Sequence, residues 1–144
     1  MHTLNLVDID KSDIKYQIQK FPDGQQNIVL KTYSIAEIKT LFEIKKLSIQ
    51  IKSRLNNWLD LELIVCTVAS LRELGAEEIH LYIPYVMGAR SDRKFEEGGN
   101  NYVKHVIAPV INLLNFKSVT CIDPHSDVLE ACINNFRKLS NKKI

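Results

Sequence analysis

The stretch IHLYIPYVMGARSDRK, residues 79–94, opens as a nearly unbroken apolar run and closes on Arg90, Asp92, Arg93 and Lys94. An apolar run of strand length predicts a central strand over 79–85 with both faces covered, the pattern of a buried parallel sheet. SVTCID at 118–123 reads the same way. Between the two runs a helix is expected over roughly 101–114, burying Val103, Val106, Ile107, Val110 and Leu114. Pro109 falls inside it, where a proline removes a backbone donor and crowds the preceding turn, so a kink or a restart is expected there. Upstream, residues 57–74 carry Leu61, Ile64, Val65, Val68 and Leu71 at helical spacing, with Gly75 as a stop signal. LSIQIK at 47–52 places Leu47, Ile49 and Ile51 on one strand face. Strand, helix, strand, helix and strand in alternation predict an α/β domain with a mostly parallel sheet and right-handed crossovers.

Outside this core, IKYQIQK (14–20) and NIVLK (27–31) alternate or run apolar as strands do. FPDGQQ between them supplies Pro22, Asp23 and Gly24, so an N-terminal β-hairpin is expected. SIAEIKTLFEIKK from Ser34 reads as a short helix with Ser34 as its cap. The closing RKLSNKKI reads as a polar, frayed tail. No internal repeat, low-complexity tract or linker interrupts the chain.

The 144 residues and 45% hydrophobic content suit one globular domain. Lys and Arg number 19 against 17 Asp and Glu, mixed along the chain, so there is none of the dense basic face of a nucleic-acid binder. Cys66, Cys121 and Cys132 are odd in number, widely spaced and set in apolar segments, which favours reduced core thiols over a disulfide framework or a zinc site. The N-terminus lacks the regions of a signal peptide and no apolar run approaches membrane-spanning length, so a cytoplasmic protein without a membrane partner is expected.

In open α/β sheets, ligands bind beyond the carboxyl ends of the strands, where loops and helix N-termini offer donors. Two polar clusters fall there: GARSDRKFEEGGNN after the 79–85 strand, and DPHSD (123–127) after the next. Adjacent parallel strands would bring them together. Arg90 can bond a phosphate bidentately, Arg93 and Lys94 add positive charge, and Gly98 and Gly99 let a loop fold over a ligand. The same residues also suit a solvated loop with internal Arg–Asp pairs. His125 beside Asp123 can serve a metal or a phosphate, or simply be hydrogen-bonded. His2, His80 and His105 show no ligand spacing, and Trp58 and Tyr82 read as core or surface aromatics. A Walker phosphate loop, a GxGxxG fingerprint and a nucleophile elbow are all missing from the sequence.

PYVMGARSDRK, then Lys104, then DPHS resembles the N-terminal half of the ribose-phosphate diphosphokinases (PRPP synthetases), with their proline-tyrosine strand end, Arg-Gln-Asp-Arg-Lys run and Asp-Leu-His segment. FPDGQ at 21–25 is similar to that family's Phe-Ser-Asp-Gly-Glu turn, and LRELGAEEIHLYIPY fits as well, whereas residues 32–56 match poorly. The resemblance implies a three-layer, phosphoribosyltransferase-like N-terminal domain over 1–144 that binds ATP with Mg2+. It places Arg90, Ser91, Asp92 and Arg93 in the run that holds adenine and phosphates, and His125 with Asp123 at the magnesium triphosphate. It further implies that Phe21, Asp23 and Gln25 reach a neighbouring copy's adenine, hence a homo-oligomer. The family's reaction moves the β,γ-diphosphoryl group of ATP to the anomeric hydroxyl of ribose 5-phosphate. This chain departs from the pattern where Ser91 stands for Gln, Gln25 for Glu and Pro124 for Leu. The family's second domain, with its ribose-phosphate loop, mobile Lys/Arg loop and further metal carboxylate, has no counterpart in these residues.

Two functions arise as expectations. In one, the chain is the ATP-binding half of a diphosphotransferase, acting with a C-terminal-half partner on ribose 5-phosphate or a related ribosyl acceptor such as ADP-ribose. In the other, it is a non-catalytic module that assembles with a complete synthetase and adjusts it. No catalytic residue is assigned in either.

Overall fold

A computed structural model describes residues 1–31, 47–122, 124 and 127–140. Five strands form one parallel sheet in the order β1 (His2–Asn5), β4 (Ser48–Lys52), β5 (Glu78–Ile83), β6 (Ser118–Ile122) and β7 (Phe136–Leu139). Strands β2 (Tyr16–Lys20) and β3 (Gln26–Leu30) make a separate antiparallel hairpin. The helices are α1 (Trp58–Glu73), α2 (Ala108–Leu113) and the short α3 (Asp127–Cys132). This is the mostly parallel α/β domain with an N-terminal hairpin that the alternation predicts, and β5 is its central strand.

The register sets Ile49 beside Ile79, Ile51 beside Leu81, Leu81 beside Val119 and Ile83 beside Cys121, so one face of the sheet is a continuous buried apolar layer. Each fully buried Leu or Ile there contributes roughly 2 kcal/mol of transfer free energy. The second face differs from the expectation for β5. Glu78, His80 and Tyr82 alternate with the buried residues and are only half-buried. The near-continuous apolarity misleads because His80 and Tyr82 combine an apolar ring body with a polar atom at its edge.

Helix α1 starts where the Asn57 side chain accepts from the Asp60 N–H at 2.9 Å. It ends at Gly75, whose φ of +101° lets the Ala76 N–H turn back to the Leu71 carbonyl at 3.0 Å. Leu61, Ile64, Val68 and Leu71 are buried, and Arg72 reaches across to the Leu114 carbonyl at 2.6 Å, fixing the far end of α1 to α2. The hairpin is fastened at both ends. Tyr16 donates its hydroxyl to the Asn5 carbonyl at 2.6 Å, and the Gln26 N–H donates to Glu62 Oε1 at 2.7 Å on α1.

The expected break at Pro109 is present as a restart: a π-helical turn spans Val103–Ile107, and α2 begins at Ala108 with Pro109 in its first turn, where the missing N–H costs nothing. Val103 and Ile107 are buried as expected, and Ile111 joins them. The expected polar tail is corrected. Residues 136–139 form β7, paired in parallel with β6, and Asn112 of α2 holds the turn before it through the Cys132 carbonyl at 2.9 Å and the Asn134 N–H at 2.9 Å. The helix expected from Ser34 lies outside the described residues. Among the described residues no helix is long and apolar enough to cross a membrane.

Candidate functional site

Strands β1, β4 and β5 end together and their outgoing loops are joined. The Leu6 N–H donates to the Lys52 carbonyl (2.8 Å), the Ser53 N–H to Tyr82 (3.1 Å), and the Met87 N–H to Leu55 (2.9 Å). The loop after β5 therefore starts on a fixed base, and Val86, Met87 and Ala89 anchor it in the core. Gly88 turns the chain outward with φ of +80°, and the Ser91 N–H closes that turn on the Gly88 carbonyl at 2.7 Å. The ring of Tyr102 lies directly over Gly88, where a β-carbon would overlap its Cδ1 and Cε1. Trp58 donates its indole N–H to the Tyr102 hydroxyl at 3.0 Å.

The far side of the loop is also held. Val103 donates its N–H to the Ser91 carbonyl at 3.2 Å, and Asn101 donates Nδ2–H to the Asp92 carbonyl at 2.7 Å. The expected charge cluster is thereby divided. Arg90 projects into solvent and enters no ion pair among the described residues. Ser91 and Asp92 are half-buried. Arg93 stacks its guanidinium 5.0 Å from the centre of the exposed Phe95 ring, and Lys94 pairs with Glu97 at 3.0 Å. Contacts this exposed contribute little stability. Of the three basic side chains, Arg90 makes no ion pair or ring contact among the described residues, while the stacked Arg93 still presents its N–H edge to an anion.

The hairpin turn forms as expected: Asp23 Oδ1 accepts from the Gln25 N–H at 3.0 Å, and the Phe21 N–H donates to the Gln25 carbonyl at 2.9 Å. Phe21, Asp23 and Gln25 are exposed, and among the described residues no hydrogen bond or ion pair joins them to residues 88–94 of their own chain. Asp123 and His125 lie outside the described residues; β6, which precedes them, runs parallel to β5 and ends at the same edge of the sheet. No group of three or more His, Cys, Asp or Glu among the described residues could hold a metal ion.

Two other chemically suggestive features have structural explanations. Cys121, near the end of β6, donates its thiol to the Pro84 carbonyl at 3.6 Å, and burial pushes its pKa up to about 11, so it is not a thiolate nucleophile. His80 is held by Ser118 Oγ on Nδ1 at 2.6 Å and by Glu78 Oε1 on Nε2 at 2.9 Å. That chain lies at the amino ends of β5 and β6, and Ser118 is only 4% exposed, so it fastens strands rather than meeting a substrate.

Three concave regions lie on the described surface. A hollow of about 280 Å³ at the ends of β1, β4 and β5 is lined by Asn5, Val7, Asp8, Lys11, Lys52 and Pro84 among others. A shallow apolar one of about 340 Å³ lies beside Trp58, and a larger one of about 630 Å³ runs between β3 and the second half of α1. Sequence reasoning did not find the Trp58–Tyr102–Gly88 contact, whose members are too far apart in the chain for any local pattern. A glycine just after a buried strand was its one available sign.

The class defined by this geometry is a parallel α/β domain with an exposed arginine on a fixed loop at the carboxyl edge. No protein-family model matches the sequence, and no curated protein is significantly similar to it. Among solved structures the fold is similar to phosphoribosylpyrophosphate synthetase from Mycobacterium smegmatis, with a TM-score of 0.72 and 13% sequence identity over 94% of this chain. The chain spans 43% of that protein's length. At this identity the likeness establishes the shared α/β fold.

Proposed function

We propose that this domain binds magnesium ATP at the loop after β5 and serves as the ATP-binding half of a ribose-phosphate diphosphokinase-like transferase. The acceptor would be ribose 5-phosphate or a related ribosyl compound such as ADP-ribose. The observation that carries the reading is Arg90: an arginine outside any ion pair among the described residues, on a loop fixed by Gly88, Tyr102 and Asn101 at the end of the central strand. The similar fold of a phosphoribosylpyrophosphate synthetase supports it.

In the proposed reaction the acceptor's anomeric hydroxyl oxygen forms a bond to the β-phosphorus and gives up its proton to solvent, the α–β anhydride bond breaks, and AMP leaves. Such transfer depends on positioning and on neutralising the charge of the phosphates. Arg90 would grip phosphate oxygens in a fork, and the pinned loop removes much of the entropy cost of ordering it. Magnesium, when bound, neutralises charge on the phosphates; it takes most of its ligands from phosphate oxygens and water, so one or two protein groups such as Asp123 and His125 would suffice. Phe21, Asp23 and Gln25, exposed and, among the described residues, without a hydrogen bond or ion pair to their own chain's loop, suit contact with a neighbouring copy's nucleotide, as a homo-oligomer would provide.

Calorimetry with magnesium ATP on the wild-type chain and on the doubly substituted Arg90→Ala, His125→Ala chain tests the proposal. The expected result is measurable heat from the first and its loss from the second; equal heats, or none from either, would sink the reading. A second reading is a regulatory module that assembles with a complete synthetase. Release of AMP separates the two. Turnover on mixing with a C-terminal half supports split catalysis, and altered turnover of an already complete synthetase supports regulation.

A further inference from the structure

We propose that Trp58 is the platform on which the nucleobase stacks, within the same chain that supplies Arg90; the inference rests on the nucleotide reading of the loop after β5. Trp58 occupies the first turn of α1, directly after the loop that leaves β4, so it stands at the ligand edge of the sheet. Its one polar atom is engaged by the Tyr102 hydroxyl at 3.0 Å, and the residue is 50% exposed. With its N–H engaged, the rest of the indole is apolar aromatic surface, which suits a planar aromatic ligand.

The surroundings agree. Trp58 lines the shallow hollow of about 340 Å³ together with Leu59, Val65, Cys66, Val110 and Glu62, whose mostly apolar walls would cover a base. Platform and phosphate loop are one mechanical unit: Tyr102 accepts from Trp58 and packs its ring on Gly88, two positions before Arg90. The Met87 N–H joins the same two loops through the Leu55 carbonyl at 2.9 Å. An aromatic side chain tied through Tyr102 to the loop that carries Arg90 is complementary to a base joined to phosphates. A single exposed tryptophan is by itself ordinary surface; the fixed orientation, the adjoining hollow and the shared loop are what raise it to a site.

Trp58 is the sole tryptophan of the chain, so its emission reports on this position alone. Magnesium ATP should quench or shift that emission, whereas inorganic triphosphate, which has no base, should leave it unchanged. By calorimetry, Trp58→Ala should weaken magnesium ATP by roughly ten-fold while leaving triphosphate affinity as it was, and Trp58→Phe should recover most of the loss. Far-ultraviolet circular dichroism checks that the variants fold. Equal ATP affinity in Trp58→Ala and the wild type overturns the platform but leaves the phosphate reading standing. Equal losses for ATP and triphosphate overturn it as well, since Trp58 would then only support the loop. Absence of ATP binding by the wild-type chain overturns both.

Discussion

The two ends of β5 carry similar polar residues and put them to opposite uses. At the amino end, Glu78, His80 and Ser118 bond one another at 2.9 and 2.6 Å, so each side chain finds its partner inside the protein. At the carboxyl end the contacts that fix the loop fall on its backbone: Tyr102 on Gly88, Val103 on Ser91, Asn101 on Asp92, and the ion pair of Lys94 with Glu97 is exposed. The backbone contacts leave the Arg90 side chain outside. A polar cluster whose side chains satisfy each other holds strands together, whereas one whose backbone is satisfied by others can present its side chains to a ligand.

The contrast breaks most severely at Gly88. Replacing it with alanine puts a β-carbon into the Tyr102 ring and forces an L side chain to a positive φ of 80°, so Gly88→Ala is expected to cost about 3 kcal/mol in denaturant unfolding. Ligand binding should fall with it, because the ring that must move also holds Trp58. An unchanged unfolding midpoint would show that the wedge does not fix the loop.

At the other end the expected effects are smaller. Ser118→Ala removes the partner of His80 Nδ1 and should cost about 1–2 kcal/mol, read from the urea midpoint, without affecting ligand binding. Glu78 adds a pH dependence. The hydrogen bond from His80, then that from Ser48, holds its carboxyl below the usual glutamate range. A carboxylate depressed by folding contributes stability that is present above its unfolded pKa and lost as the pH falls through the folded value. Melting temperature should therefore decline as the pH falls through and below the usual glutamate range in the wild type and decline less steeply in Glu78→Gln. Parallel profiles would show that the His80 contact does not depend on the charge.

Much of this division was legible in the sequence, and where it was not the reasons are physical. The helix of 58–73, the hairpin and the restart at Pro109 stem from periodicity and from proline and glycine chemistry, which act over a few residues. Strands β1 and β7 escaped because HTLN and FRKL are short and polar for strands, and pairing with β4 and β6 overrides their weak local preference. The charge of 90–94 showed plainly, but its partition did not: whether Arg90 or Lys94 is engaged depends on where Glu97 and Phe95 fall once the loop is folded. The Trp58–Tyr102 bond joins residues 44 apart and has no local signature.

The smallest expected effect on stability is also the one that bears most directly on function. Arg90 is exposed and takes part in no ion pair among the described residues, so Arg90→Ala should change the unfolding free energy by no more than about 0.5 kcal/mol. Its effect on binding should be far larger, because a guanidinium that meets phosphate in a fork supplies two charge-assisted hydrogen bonds that alanine cannot replace. Arg90→Lys keeps the charge but not the fork, and should restore only part of the affinity for inorganic triphosphate. Unfolding curves and calorimetry on the same preparations make the comparison. A large stability loss in Arg90→Ala would mean that this side chain is engaged inside the protein, as Ser118 is, and that the two ends of β5 are more alike than their geometry indicates.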